Sequence, residues 1–164
     1  MSFKITVKEK EENIKFNYRL YFKANKKLAT KDKEGNSQND GAGVLFVQVL
    51  EKDDDALVNL IQLVSNKATE NDAVDAIDRY VGNLVADGLD EEKAYERIFQ
   101  DLKEEMLASG FFVSKIRKYI AMLQKAQKAL ETRGEDEKFQ AKELKELADR
   151  IQKEISSSTA QDTD

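Results

Sequence analysis

Apolar and polar residues alternate in FKITV, with Phe3, Ile5 and Val7 on one side and Lys4 and Thr6 on the other. That period of two predicts a half-buried strand. NIKF (Asn13 to Phe16) alternates in the same way, and the charged KEKEEN between the runs reads as a turn-like connector. Together they predict a β-hairpin, which is marginal alone and must pack on something. The period then lengthens. Asn17 is placed to cap a helix from about Tyr18 to Ala29, with Leu20, Tyr21, Ala24 and Leu28 on one face. TKDKEGNSQNDGAG, Thr30 to Gly43, holds three of the seven glycines and reads as the clearest loop.

VLFVQVL (Val44 to Leu50) is apolar nearly all round, so its period cannot separate a buried strand from a buried helix. Its helical surroundings favour helix. Asp53, Asp54 and Asp55 suit the N-terminus of a following helix, whose inner face is Leu57, Leu60, Ile61 and Val64. Thr69 and Asp72 have the spacing of a capping pair, and Val74, Ile77, Val81 and Leu84 recur at helical spacing behind them. Gly88 ends that segment and Asp90 caps the next, which turns Tyr95, Ile98, Phe99, Leu102 and Met106 inward. Gly110 breaks or bends the chain. Phe112, Ile116, Tyr119, Ile120, Leu123 and Leu130 then share a face. A last helix is expected from about Asp136 to Ser156 on the narrow stripe Leu144, Leu147, Ile151 and Ile155, followed by SSSTAQDTD as a flexible tail. The expected fold is mainly α within an α+β class: an N-terminal hairpin packed on a bundle of about six to seven helices. Residues 1–130 form one unit, and residues 131–164 an appended helix and tail.

Composition narrows the chemistry. Cys, His, Trp and Pro are all missing from the 164 residues. No disulfide, thiolate nucleophile or zinc–thiolate site can form, and the commonest acid–base group and transition-metal ligand are gone. An enzyme is therefore not expected, and no acid–base pair stands out among 32 carboxylates. No apolar run is long enough to span a membrane, and MSFKITVKEKEE has no secretory pattern, so a cytoplasmic location is expected. The net charge of −5 is unevenly spread. Residues 1–34 hold ten Lys/Arg against five Asp/Glu, residues 51–105 hold sixteen acids against six bases, and residues 106–130 hold five bases and no acid. Such blocks attract one another within a fold or between copies.

Candidate ligand sites weaken on inspection. Asn36, Gln38, Asp40 and Gly41 resemble the first half of an EF-hand loop, but the position that must carry the clamping acid is Val47. Asp53 to Asp55 point in different directions on a helix and do not converge on one ion. GAG at 41–43 lacks the later glycine and lysine of a phosphate loop. The lysine-rich N-terminus alternates with acids in a chain of pI about 5.1, which argues against nucleic acid. No metal, cofactor or nucleic acid is expected. The residues describe a helical binding or assembly protein.

One stretch bears on what it binds. In MLASGFFVSKIRKYI (Met106 to Ile120), Phe112, Ile116 and Tyr119 fit an inward face. Phe111 lies about 100° round a helix from Phe112. If the helix starts before Phe111, the two rings cannot share one groove; if the chain turns at Gly110, they can.

Four pieces in succession, FNYRLYFKANKKLAT, GNSQNDGAGVLFVQVLEKDDDALVNLIQL, DAIDRYV and EEKAYERIFQDLKEEMLASGFFVSKIRKYI, resemble the tail assembly chaperones of long-tailed bacteriophages of Gram-positive bacteria. The likeness runs from about residue 3 to 130 and rests on the order and intervals of the pieces. It implies a protein of the host cytoplasm that binds the tape measure protein, a very long apolar helical protein. The chaperone keeps that client in solution and prepares it for tail-tube subunits to polymerise round it, and is absent from the finished virion. It also implies a longer frameshifted form that reaches the tail tube protein. Lining a long client makes self-association plausible. The expected partner contacts are Phe111, Phe112, Val113 and Ile116, with Leu147, Ile151 and Ile155 as a second stripe. The alternative is a structural tail or connector protein retained in the virion.

Overall fold

A computed structural model describes residues 3–161. Two strands, β1 (Phe3–Val7) and β2 (Lys10–Ile14), form an antiparallel hairpin in the register Phe3 opposite Ile14 and Val7 opposite Lys10. Seven helices follow: α1 (Tyr18–Leu28), α2 (Gly41–Leu50), α3 (Asp54–Val64), α4 (Glu70–Ala86), α5 (Glu91–Ala108), α6 (Gly110–Glu131) and α7 (Glu135–Gln161). This is the expected class, a hairpin on a helical bundle.

The hairpin is tighter than its alternation suggested. β2 begins at Lys10 rather than Asn13, because Lys8, at φ 58°, turns the chain within two residues. The KEE run is polar on both sides, so it shows no period, yet Lys4 and Glu11 pair across the strands at 3.1 Å. Phe3, Ile5, Val7, Ile14 and Phe16 are all buried. The Phe3 ring stacks on Tyr80 of α4 at 5.0 Å between centroids, which gives the hairpin the support it needs.

Side-chain caps fix most helix starts. Asn17 accepts from the Leu20 amide at 3.1 Å, Asp53 from Asp55 at 3.0 Å and Asp90 from Lys93 at 2.9 Å. Thr69 and Asp72 exchange both bonds of a capping box, at 3.1 and 2.8 Å.

α2 departs from its expected start. It opens at Gly41, so GAG is its first turn and the loop covers only 30–40. The glycines serve contact rather than flexibility. A Cβ at Gly41 would strike the backbone of α1 at Asn25, and one at Gly43 would strike the Tyr119 ring of α6. α2 is the central helix, packed by α1, α3, α5 and α6. That position explains why it is apolar all round. Its start is capped from a neighbour: the Asn25 side-chain Oδ1 accepts from the Gly41 amide at 3.1 Å. Asp40, buried before it, accepts from the Thr30 amide and hydroxyl at 2.7 and 2.6 Å and closes the loop.

Two further boundaries shift. The break between α5 and α6 is at Ser109, not Gly110. Ser109 Oγ accepts from the Phe112 amide at 3.2 Å and donates to the Phe16 carbonyl at 2.7 Å. The last helix runs from Glu135 to Gln161, so SSSTAQ extends it and only residues 162–164 of the expected tail lie outside the described residues. α7 folds back on α6 after Gly134, at φ 129°, and its Ala148, Ile151 and Ile155 join the same core cluster as the hairpin.

Candidate binding surfaces

The expected contact residues divide by burial. Phe112, Val113 and Ile116 are buried, with Phe112 edge-on to Phe16 at 5.0 Å. Ile151 and Ile155 are buried too, and Leu147 is half-buried. Because α6 begins at Gly110, Phe111 points away from Phe112, and it is 36% exposed. Of the two arrangements open to the phenylalanines, the structure adopts the divided one.

Phe111 does not stand alone. Its ring lies 5.9 Å from Tyr18 and 5.6 Å from Tyr21. Tyr18 in turn stacks with Phe22 at 6.4 Å. Tyr18 is 64% and Phe22 47% exposed, so α1 and α6 present a continuous aromatic surface. Lys115 Nζ is 4.7 Å from the Tyr21 ring centre and 5.4 Å from Phe111, and Lys26 Nζ is 4.8 Å from Phe22. These are cation–π distances, so the basic rim and the rings form one unit. The sequence reading missed Tyr18 and Phe22. Their signal was spacing: they are four residues apart and off the Leu20, Ala24, Leu28 face.

The rest of the surface offers little for a small ligand. A cleft of about 520 Å³ lies between α2, α5 and α7, floored by Leu50 and Phe99. Its cations are matched to carboxylates, with Lys103 on Glu154 at 3.1 Å, Arg97 on Asp101 at 2.8 Å and Arg150 on Glu51. Among the described residues no cluster of three or more acids is placed to hold a metal ion. In the loop, Asp32 accepts from the Glu34 and Asn36 amides, both at 2.9 Å, and these bonds hold its carboxyl below the usual range. Asp40 is committed to Thr30, so the oxygens of the EF-hand-like run do not converge. No helix among the described residues is long and apolar enough to cross a membrane.

Three tyrosines are shifted upward: Tyr119, mainly by burial, and Tyr80 and Tyr95, each bonded to a carboxylate. Burial and a 2.9 Å bond to Asp101 push Tyr80 well above the ordinary tyrosine range. Burial and a bond to Asp54 push Tyr95 to about 12. Tyr80 and Tyr95 both stay neutral donors at neutral pH.

An aromatic surface on a helical body, without a ligand pocket of matching chemistry, suits a protein partner. Residues 4–120 match the family described as phage tail assembly chaperone protein, TAC. The chain belongs to this family. The match covers the hairpin, α1 to α5 and the first half of α6, and so includes every residue of the aromatic surface. It stops before α7. No curated protein and no solved structure matches the chain. Family membership makes the chain a phage tail assembly chaperone and implies interaction with phage tail proteins.

Proposed function

We propose that this chaperone binds the tape measure protein of a long-tailed phage of Gram-positive bacteria. It keeps that apolar helical protein in solution in the host cytoplasm and promotes polymerisation of the tail tube around it. The observation that carries this reading is the exposed cluster of Tyr18, Phe22 and Phe111 rimmed by Lys26 and Lys115. Monomeric proteins seldom leave a contiguous apolar patch uncovered unless something binds there. Aromatic anchors beside apolar side chains suit the hydrophobic face of a client helix. In this reading Phe111 contacts the client directly. Phe112, Val113 and Ile116 fix its position from beneath, and Leu147, Ile151 and Ile155 hold α7 as a helix appended to a unit that ends near residue 130. A frameshifted longer form carries the complex to the tail tube protein. Self-association through the acidic block and the basic residues 115–128 lines several copies along one client, and the chaperone leaves before the virion is complete.

The test is co-expression with the tape measure protein of the same genome. The wild type holds that protein in the soluble fraction and co-purifies with it. The double variant Phe22→Ser, Phe111→Ser releases it to the pellet. Client that stays insoluble with the wild type, or is held equally well by the variant, ends this reading. Finding the chain in purified particles by mass spectrometry favours a retained structural component instead.

A further inference from the structure

The aromatic surface carries charge as well as rings. On α1, Tyr18, Phe22 and Lys26 repeat every four residues, and on α6, Phe111 is followed at four and then three by Lys115 and Lys118. Residues at those spacings share a helix face, so each helix sets bases in line with its rings. α1 has no acid, and the one acid of α6 is Glu131 at its far end.

These bases are unmatched. Among the described residues no carboxylate pairs with Arg19, Lys26, Lys115 or Lys118. The cations of the cleft between α2, α5 and α7, by contrast, each have a carboxylate. Lys26 and Lys115 stand over Phe22 and Phe111 instead. A ring takes one side of an ammonium group and leaves its other donors for an acceptor outside. In a chain of net charge −5, this face runs against the sign of the whole. It attracts acidic partners and repels basic ones.

The shape favours a helix over a lipid surface. Tyr18 and Phe22 stack at 19°, and Phe111 meets Tyr21 edge-on at 81°. Rings packed on one another make a floor rather than separate prongs to enter a bilayer. The side chains of an amphipathic helix lie along such a floor.

We propose, on the reading of the rings as the client site, that this surface selects among helices by charge. It takes an amphipathic helix whose apolar seam is flanked by Asp or Glu. Carboxylates of that helix seat on Lys26 and Lys115, with Arg19 and Lys118 outside them.

The probes are two rhodamine-labelled synthetic peptides of about three heptads that share one apolar seam of Leu and Ala. One carries Glu beside the seam and the other Lys. Full-length protein is titrated into each and anisotropy is read. The Glu peptide binds at least about tenfold tighter than the Lys peptide, and added salt narrows the gap. Phe22→Ser with Phe111→Ser weakens both. Lys26→Glu with Lys115→Glu removes or reverses the preference. Arg19→Glu with Lys118→Glu narrows it while leaving both ring-stacked lysines in place, and this pair carries the test if the first loosens the rings. Circular dichroism checks each fold. Equal binding of the two peptides, no binding of the Glu peptide, or a preference kept by both charge variants overturns the proposal. The client site itself is judged apart from this, by co-expression of the Phe22→Ser, Phe111→Ser variant with the tape measure protein. Loss of the client there keeps the rings as the site even when the peptides show no preference. Wild type that co-sediments with phosphatidylglycerol vesicles while the ring variant does not also overturns the proposal, because the occupant is then a lipid surface. So does self-association in sedimentation equilibrium that the ring variant abolishes, the occupant then being a second copy.

Discussion

Single residues decide where this chain changes direction. Ser109 caps α6 with one lone pair and ties the α5–α6 corner to the Phe16 carbonyl with its proton. Asp72 and Asp90 do similar work at α4 and α5. Their carboxyls are held below the usual range, chiefly by the Thr69 and Lys93 amides respectively. The sign follows from linkage. Each ionises more readily folded than unfolded, so its contribution is complete above the unfolded pKa of about 3.9 and fades as pH falls through the lower folded value. Urea midpoints of the wild type should therefore drop on acidification below about pH 4, and an Asp72→Asn, Asp90→Asn variant should show a shallower acid limb. Identical limbs would mean the caps do not titrate with folding. These caps were legible because the acid or hydroxyl stands immediately before an apolar period. Ser109 was not, since Gly110 beside it gave the stronger break signal and the Phe16 carbonyl is remote in sequence.

Among elements, α2 taught most. Periodicity could not identify it, and its three small first residues imitate a loop. Only the packing of α1 and α6 against it explains GAG, and that contact is not written in the segment itself. The prediction at this scale is a pair of opposite signs. Gly43→Ala puts a methyl into the base of the Tyr119 side chain and must move α6, costing about 1–3 kcal/mol. Gly82→Ala, in an α4 position with nothing within 4 Å, should stabilise by about 0.5–1 kcal/mol. Chemical denaturation of both variants checks this, and equal effects would deny α2 its close contact. The long helices were readable from their 3.6 period. Which side of α4 meets the core was only half readable: Ile77 of the expected face packs there with Tyr80, but the fully buried residues are Ala73 and Ala76.

At the scale of the whole molecule, the described residues leave six large apolar side chains exposed: Tyr18, Phe22, Val74, Val85, Phe111 and Phe139. Three gather on a basic surface and two on an acidic helix, so the charge blocks seen in the sequence become two distinct faces. Surface residues can be removed without harm to a core. The Phe22→Ser, Phe111→Ser variant should thus unfold in urea within about 0.5 kcal/mol of wild type while losing its client. A large stability loss would mark the rings as core. The family and the bundle were recognisable from the order of segments. The aromatic surface was only half visible, since Phe111 drew attention and Tyr18 and Phe22, some ninety residues earlier, needed the fold to reach it.

The Ser109 bridge to Phe16 also sets a timetable. Phe16 leaves the ribosome well before the ring that packs on it, which belongs to Phe112. At ordinary rates of translation those residues emerge on the order of ten seconds apart. Through that interval Phe16 lacks the ring it packs on, although Tyr80 of α4 is made before that ring and can support Phe3. The packing of Phe16 is thus completed only after α6 has emerged.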